Sequence, residues 1–200
     1  MILFTGIVQG MAKVIKMSGE EVKRLEIEMP DGSTDGLEIG ASISVNGVCL
    51  TVVSLNPVSF DIIQETLSRT NISLFEPGDM VNFERALKFG DELGGHMLSG
   101  HVLCTGEVIE RNLAESLDLH IDVPSDVMQY IQEKGFIAVD GISLTIGKTN
   151  DTGFWVHLIP ETMRSTIIGN RAEGDLVNIE IDSMTQMVVN TVKRILEDEK

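Results

Sequence analysis

Ser42-Ile43-Ser44-Val45 alternates polar and apolar side chains, the period of a strand with one face buried. Asn46-Gly47 follows, a pair that tolerates the backbone angles of a tight hairpin turn, and Cys49-Leu50-Thr51-Val52-Val53 resumes a β-rich run. Val22 to Glu28 sets Val22, Leu25 and Ile27 among charged residues, and Val58 to Ile63 is again strand-like. A short helix is predicted around Glu65 to Asn71. Gly78-Asp79 then turns the chain into Met80-Val81-Asn82-Phe83-Glu84. Short strands separated by regular turn signals predict a small antiparallel barrel. After Asp182 the period changes. Met184, Met187, Val188, Thr191, Val192, Ile195 and Leu196 recur at three- and four-residue steps, with Asn190, Lys193, Arg194, Glu197 and Asp198 on the opposite face. This predicts an amphipathic helix of about four turns. Alone it is marginal in water, so its stripe must pack on its own barrels or on the tails of other subunits.

The pattern occurs twice. Asn46-Gly47-Val48-Cys49-Leu50-Thr51 returns as Asp140-Gly141-Ile142-Ser143-Leu144-Thr145, 94 positions later (140 − 46), and Thr5-Gly6-Ile7-Val8 returns as Ser99-Gly100-His101-Val102. Glu65-Thr66 and Gly78-Asp79-Met80-Val81-Asn82 return as Glu161-Thr162 and Gly174-Asp175-Leu176-Val177-Asn178, now 96 positions on (161 − 65). The slip falls at the turns Asn56-Pro57 and Asn150-Asp151-Thr152-Gly153. The second copy repeats the order of elements, with a short helix expected from Ser125 to Glu133. The chain divides into domains at 1–93 and 94–182 and a tail at 183–200. A duplicated domain offers two similar pockets and can hold two copies of one molecule.

The net charge of −16 disfavours nucleic acid as a partner, because phosphate backbones repel such a surface. No apolar run approaches the roughly 20 residues that cross a bilayer, so no membrane association is expected. The N-terminus lacks a basic stretch followed by an apolar one, so no signal peptide is expected. The two cysteines, Cys49 and Cys104, fall at unrelated repeat positions and form no disulfide framework. These features predict a cytoplasmic setting. Neither a metal-ligand cluster nor a phosphate-binding glycine loop is evident, so no cofactor is expected.

Histidine is the usual group for proton transfer near neutrality. His96 and His101 lie in Gly94-Gly95-His96-Met97-Leu98-Ser99-Gly100-His101. Five residues apart, they would face opposite sides of a strand, which suits chelation of one metal poorly. Hydrogen bonding to the turn is the plainer role for each, as for His120 and His157. Cys49 reads most simply as a small buried residue, and its repeat mate is Ser143. Thr51 and Thr145 occupy the same place in both copies, where threonine is also an ordinary β-former. Lys134 reads as a solvated charge ending a helix, Asp140 as turn chemistry, and Asp182 as a helix cap.

Leu3-Phe4-Thr5-Gly6-Ile7-Val8-Gln9, Ser44 to Val52, Gly94 to Val102, Ile137 to Thr145 and Leu158-Ile159-Pro160-Glu161-Thr162 together resemble the riboflavin synthase family, alpha-chain type. The resemblance covers essentially the whole chain. It implies an all-β fold of two tandem six-stranded antiparallel Greek-key barrels followed by a C-terminal α-helix, and a homotrimer held by the tail helices. It implies a dismutation of two 6,7-dimethyl-8-ribityllumazine molecules to riboflavin and 5-amino-6-ribitylamino-uracil, with no metal or redox cofactor. The site would form where the N-terminal barrel of one subunit faces the C-terminal barrel of another. Association with lumazine synthase stays open.

The resemblance also assigns residues. Cys49, His101, His96, Ser42, Asp182 and Phe4 match catalytic positions. Substrate contacts fall to Cys49-Leu50-Thr51 and Ser143-Leu144-Thr145, with backbone groups of Gly6, Ile7 and Val8 and of Gly100, His101 and Val102. Asp61, Ile62, Ile63, Gln64, Glu65 and Thr66 would supply one further wall; Leu158, Ile159, Pro160, Glu161 and Thr162, the other. Lys134 and Ser143 match the C-terminal site. One departure is Ile2-Leu3 before Phe4, where the family's Phe follows the initiator Met directly. A second reading is a non-catalytic lumazine or flavin carrier; such relatives tend to lose the Cys and the histidine segment, which this chain keeps. A third, a barrel for sugars or oligonucleotides, lacks basic residues and stacking platforms, since Trp155 and Tyr130 are the chain's single Trp and Tyr.

Overall fold

The computed structural model describes residues 3–113 and 116–198. Six strands form the first barrel: β1 (Gly10–Ser18), β2 (Lys23–Glu28), β3 (Ser42–Val45), β4 (Val48–Leu55), β5 (Val58–Ile62) and β6 (Met80–Arg85). Six more form the second: β7 (Cys104–Leu113), β8 (Leu117–Asp122), β9 (Phe136–Val139), β10 (Ile142–Thr149), β11 (Gly153–Leu158) and β12 (Leu176–Ile181). Both close with the same antiparallel order, β1-β2-β5-β4-β3-β6 and β7-β8-β11-β10-β9-β12. Closure leaves no open sheet edge. Helix α1 (Gln64–Arg69) follows β5, α2 (Pro160–Ser165) follows β11, and α3 (Ser183–Asp198) is the tail.

Alternation works as expected where a strand meets solvent. In β1, Ala12 and Val14 are buried while Lys13 and Ile15 are exposed. Each barrel fills with its own apolar face, Leu25, Ile43, Val52, Phe60 and Val81 in one, Leu119, Ile137, Phe154, Val156 and Val177 in the other.

The strands β3, β6, β9 and β12 depart from that rule, because their outer faces are buried as well. There the barrels pack on each other about a pseudo-two-fold axis. The tight turns at its centre have positive φ at both middle residues, Asn46 (+44°) with Gly47 (+82°), and Asp140 (+46°) with Gly141 (+79°). That is the hairpin geometry matching strand twist. The amide of Asn82 donates to the Asp140 carbonyl at 3.0 Å, and its mate Asn178 donates to the Asn46 carbonyl at 2.8 Å. Asn46 Oδ1 accepts from the Asn82 N–H, and Asp140 Oδ1 from the Asn178 N–H. Asp140, wholly buried, also takes both Nε and Nη2 of Arg171 on its other oxygen.

Two expectations change. The helix expected from Ser125 to Glu133 is a single 3-10 turn, Met128–Tyr130. Val127 and Ile131 anchor it in the core, and the chain doubles back immediately afterwards at Lys134 (φ +68°), leaving no length for a longer helix. The helix after β5 is α1, followed by a separate 3-10 turn at Asn71–Leu74. The tail is helical, but it does not dock its stripe on its own barrels. Met184, Met187, Val188, Val192, Ile195 and Leu196 are all exposed, and a Tyr130 hydroxyl bond to Asn190 Oδ1 at 2.7 Å links its middle to the body.

The junction tolerates no side chain at the paired glycines. A Cβ on Gly141 would lie 2.7 Å from the Gly47 nitrogen, whereas Gly32 also has positive φ but nothing within 4 Å. Gly32→Ala should cost about 1 kcal/mol from backbone strain alone, and Gly141→Ala about 2–3 kcal/mol, measured by urea unfolding. Equal costs would show that the close approach carries no energy.

Candidate active site

Two arms cross between the barrels. Phe4 and Leu98, repeat mates, exchange backbone hydrogen bonds of 2.9 and 3.0 Å. Beyond that bridge the arms diverge. The Gly6 carbonyl accepts from the Ser143 N–H of β10 at 2.8 Å, and the Gly100 carbonyl from the Cys49 N–H of β4 at 2.9 Å. Val8 packs against the second barrel's core and Val102 against the first's. Glycine is required at both crossings: φ is +74° and +76°, and a Cβ on Gly100 would lie 2.5 Å from Cys49 Cβ.

Each barrel thereby carries a surface framed by three segments. On the first, β4 supplies Cys49, Leu50 and Thr51. The antiparallel pairing of Val52 with Phe60 brings Asp61 to Thr66 alongside, and Gly100-His101-Val102 closes the third side. On the second, the segments are Ser143 to Thr145, Leu158 to Thr162, and Gly6-Ile7-Val8. Thr51, Ile63, His101, Ile7, Thr145 and Ile159 face solvent there. Leu50, Ile62 and Leu158 turn into the cores, so they can offer a ligand only backbone atoms. Asp61 is held by Arg24 through two hydrogen bonds of 2.8 and 2.9 Å, and Glu65 and Glu161 pair with Arg69 and Arg164 of their own helices.

The two histidines go to different barrels. The His96 Nδ1 is 2.7 Å from Ser143 Oγ and its ring stacks on Phe136, with centroids 5.2 Å apart. Burial holds its pKa below the usual imidazole value, with the Asp182 charge opposing, so His96 is neutral at pH 7. His101 is exposed on the arm beside Cys49. Desolvation raises the Cys49 thiol above its ordinary value; the Ser42 hydroxyl opposes and the Glu180 charge adds. Cys49 is therefore a thiol, not a thiolate, at neutral pH. Phe4, 1% exposed, packs behind it with Leu98 and Ala138. Asp182 caps α3, accepting from the Thr185 N–H and hydroxyl at 2.9 and 2.8 Å. Lys134 holds a left-handed φ where its mate in the first copy is Gly40, and its N–H bonds the Ile146 carbonyl of β10. His120 stacks on Trp155 and His157 pairs with Asp118.

Sequence reasoning missed Glu84 and Glu180. Both are buried, 3% and 5% exposed, and each binds an arm. Their strands, Asn82-Phe83-Glu84 and Asn178-Ile179-Glu180, repeat, and a charge kept at the same strand position in both copies was the available signal. Beside them lie two matching cavities. One, about 500 Å³, is lined by Ser99, His101, Leu103 and Glu180; the other, about 340 Å³, by their mates Thr5, Ile7, Gln9 and Glu84. Burial raises Glu84 above the usual carboxylate range, opposed by its bonds to Thr5 and Gly6. Among the described residues, no three His, Cys, Asp or Glu side chains gather as metal ligands.

Two like barrels, each with a ligand-sized surface completed by a crossing arm, define a tandem-barrel binding fold. A family model for the lumazine binding domain matches residues 5–86 and again 99–182. The chain belongs to the lumazine-binding domain family. Relatives named riboflavin synthase include that of Escherichia coli, 50% identical over 199 residues, covering 97% of this chain and 93% of that one. Those of Chlamydia pneumoniae (43%, covering 97% of each chain) and Mycobacterium tuberculosis (42%, covering 93% of this chain and 96% of that one) are similar. Among solved structures, LumP complexed with riboflavin matches with TM-score 0.84 at 29% identity, over 90% of this chain and 100% of that one. LumP complexed with 6,7-dimethyl-8-(1'-D-ribityl) lumazine matches with TM-score 0.81 at 28% identity, over 90% and 99%.

Burial also pushes Cys104 up to about 11. Because the thiolate is the reactive form, a raised pKa slows alkylation until the pH approaches it. Iodoacetamide at pH 8 should label both cysteines about tenfold more slowly than an unstructured cysteine peptide, with the rate still climbing at pH 10. Rapid labelling of Cys49 at pH 7 would show a thiolate there.

Proposed function

We propose that this chain is a riboflavin synthase, converting two molecules of 6,7-dimethyl-8-ribityllumazine into riboflavin and 5-amino-6-ribitylamino-uracil. The observation that carries this reading is a pair of surfaces alike in backbone and unlike in chemistry. Cys49 on one answers Ser143 on the other, His101 answers Ile7, and Gly40 answers Lys134. Two identical substrates with opposite roles call for such a pair. Similarity of 41–50% to riboflavin synthases, against 28–29% to LumP, favours catalysis over carriage.

The two products together contain every atom of the two substrates, so no oxidant or reductant enters. One ring's C7 methyl loses a proton, the resulting carbanion attacks the other ring, and four carbons move across. Holding the rings face to face supplies much of the rate, since oriented reactants reach effective molarities of order 10⁵ M. Thr51 and Thr145 bond the ring edges. His101 moves the methyl proton, and the Cys49 thiol with Ser42 bonds the ring beside it. On the other surface, neutral His96 shares a hydrogen bond with the Ser143 hydroxyl and orients it beside the ligand, while Lys134 offers positive charge to a ring that gains electrons. The reacting pair assembles between the first barrel of one subunit and the second barrel of the next, in a cytoplasmic homotrimer. The exposed stripe of α3 supports that assembly.

Purified chain and lumazine, with chelator and no added nucleotide, should yield riboflavin by absorbance and fluorescence. Cys49→Ser and His101→Gln should each lower kcat at least about tenfold, or about 1.4 kcal/mol of barrier, with smaller changes in ligand affinity. Parent rates in both variants would remove the assigned chemistry. Deleting 183–200 should give a monomer by sedimentation that binds ligand without turnover; an active trimer lacking the tail would exclude α3 as the subunit contact.

A further inference from the structure

Glu84 Oε1 accepts from the Thr5 N–H at 2.6 Å and the Thr5 hydroxyl at 2.7 Å, and its Oε2 from the Gly6 N–H at 3.0 Å. Glu180 repeats this with Ser99 N–H (2.7 Å), the Ser99 hydroxyl (2.8 Å) and Gly100 N–H (3.1 Å). No Lys or Arg pairs with either carboxylate among the described residues. A buried carboxylate without a cation is costly, and its retention at both repeat positions calls for a role in positioning. Each oxygen pair gathers successive backbone N–H groups, a concave donor arrangement suited to an anion. The residues that follow each gathered glycine run directly onto the other barrel, since Gly6 bonds Ser143 and Gly100 bonds Cys49.

We propose that Glu84 and Glu180 are positioning residues wired across the junction, each setting the ligand surface of the barrel that does not carry it. Glu180 stands on β12 of the second barrel and fixes the arm that sets His101 beside Cys49 on the first. Glu84 stands on β6 of the first barrel and fixes the arm that lines the second with Ile7 and Val8. Through the Thr5 carbonyl, which accepts from the His96 N–H at 3.1 Å, it also sets His96 against Ser143. Substitution in one barrel is thereby felt as a binding defect in the other. The inference rests on the lumazine-binding reading of the two surfaces.

Full-length ¹⁵N-labelled protein titrated with riboflavin tests the wiring, with the amides of Thr51 and Thr145 reporting the two surfaces. Glu180→Gln replaces one acceptor with a donor facing an N–H; it should weaken binding about fivefold or more at Thr51 and leave Thr145 within about twofold. Glu84→Gln should give the mirror result. Ser99→Ala, which removes a single hydroxyl bond, should move the Thr51 affinity in the same direction by a smaller factor, and it decides the question if a Gln variant fails to fold. Loss confined to the barrel carrying the substitution, equal loss in both, or no loss in either overturns the wiring. A parent protein in which riboflavin shifts neither amide overturns the lumazine reading instead.

Discussion

Gly47 and Gly141 stand back to back, and a Cβ on either would lie 2.8 or 2.7 Å from the other's nitrogen. Around this contact each barrel presents a backbone carbonyl to the other's asparagine. The exchange is reciprocal, Asn82 to the Asp140 carbonyl and Asn178 to the Asn46 carbonyl. Such bonds specify orientation as well as stability, because a buried amide misplaced by an ångström leaves two groups unsatisfied. The copies differ here in a matched way. Asp140 and Arg171 form a buried ion pair where the first copy has Asn46 and Phe75. Asp140 is wholly buried, and the guanidinium offsets the cost of its carboxylate there together with bonds from the Asn71 amide and the Asn178 N–H.

Fixing the barrels in this way determines what the arms can do. Phe4 and Leu98 pair directly beside the axis, and each arm then runs over the opposite barrel. Each surface is therefore composite, built from one copy's strands and the other copy's approach segment. Duplication alone would give two equal pockets. The crossing allows one copy's arm to change without altering the strands it covers, and the arms differ at an exposed residue, Ile7 against His101. Reactive asymmetry arises on a nearly symmetric frame.

How much of this could be read from the sequence depends on the range of the interaction. Alternation, the Asn46-Gly47 turn and the 94-residue repeat are local or periodic, and they predicted the barrels directly. The tail's stripe predicted α3, whose apolar residues are exposed on the chain and not docked on its own barrels. The Ser125–Glu133 helix failed because two buried anchors, Val127 and Ile131, look helical in sequence although a 3-10 turn satisfies them equally well. Glu84 and Glu180 were read past because a charge in an alternating strand ordinarily faces water. Only packing against the other barrel, far away along the chain, buries that face. Residues 96–101 form no strand and Gly100 has positive φ, so alternation does not set the separation of His96 from His101, and their partners Ser143 and Cys49, 47 and 52 residues away (143 − 96 and 101 − 49), needed the fold.

The tail reaches the candidate chemistry through its first turn. Asp182 caps α3 and lies close enough to His96 for its charge to act on that ring. Ser183 and Gln186, in the first turn of α3, line the same cavity as His101 and Glu180. Sixteen residues make a helix of about 24 Å, and a helix so short gains its order from packing, not propensity. Its apolar stripe, Met184, Met187, Val188, Val192, Ile195 and Leu196, is exposed on the chain. The start of the tail lies beside both histidines, so the placement of α3 bears on the geometry of both surfaces.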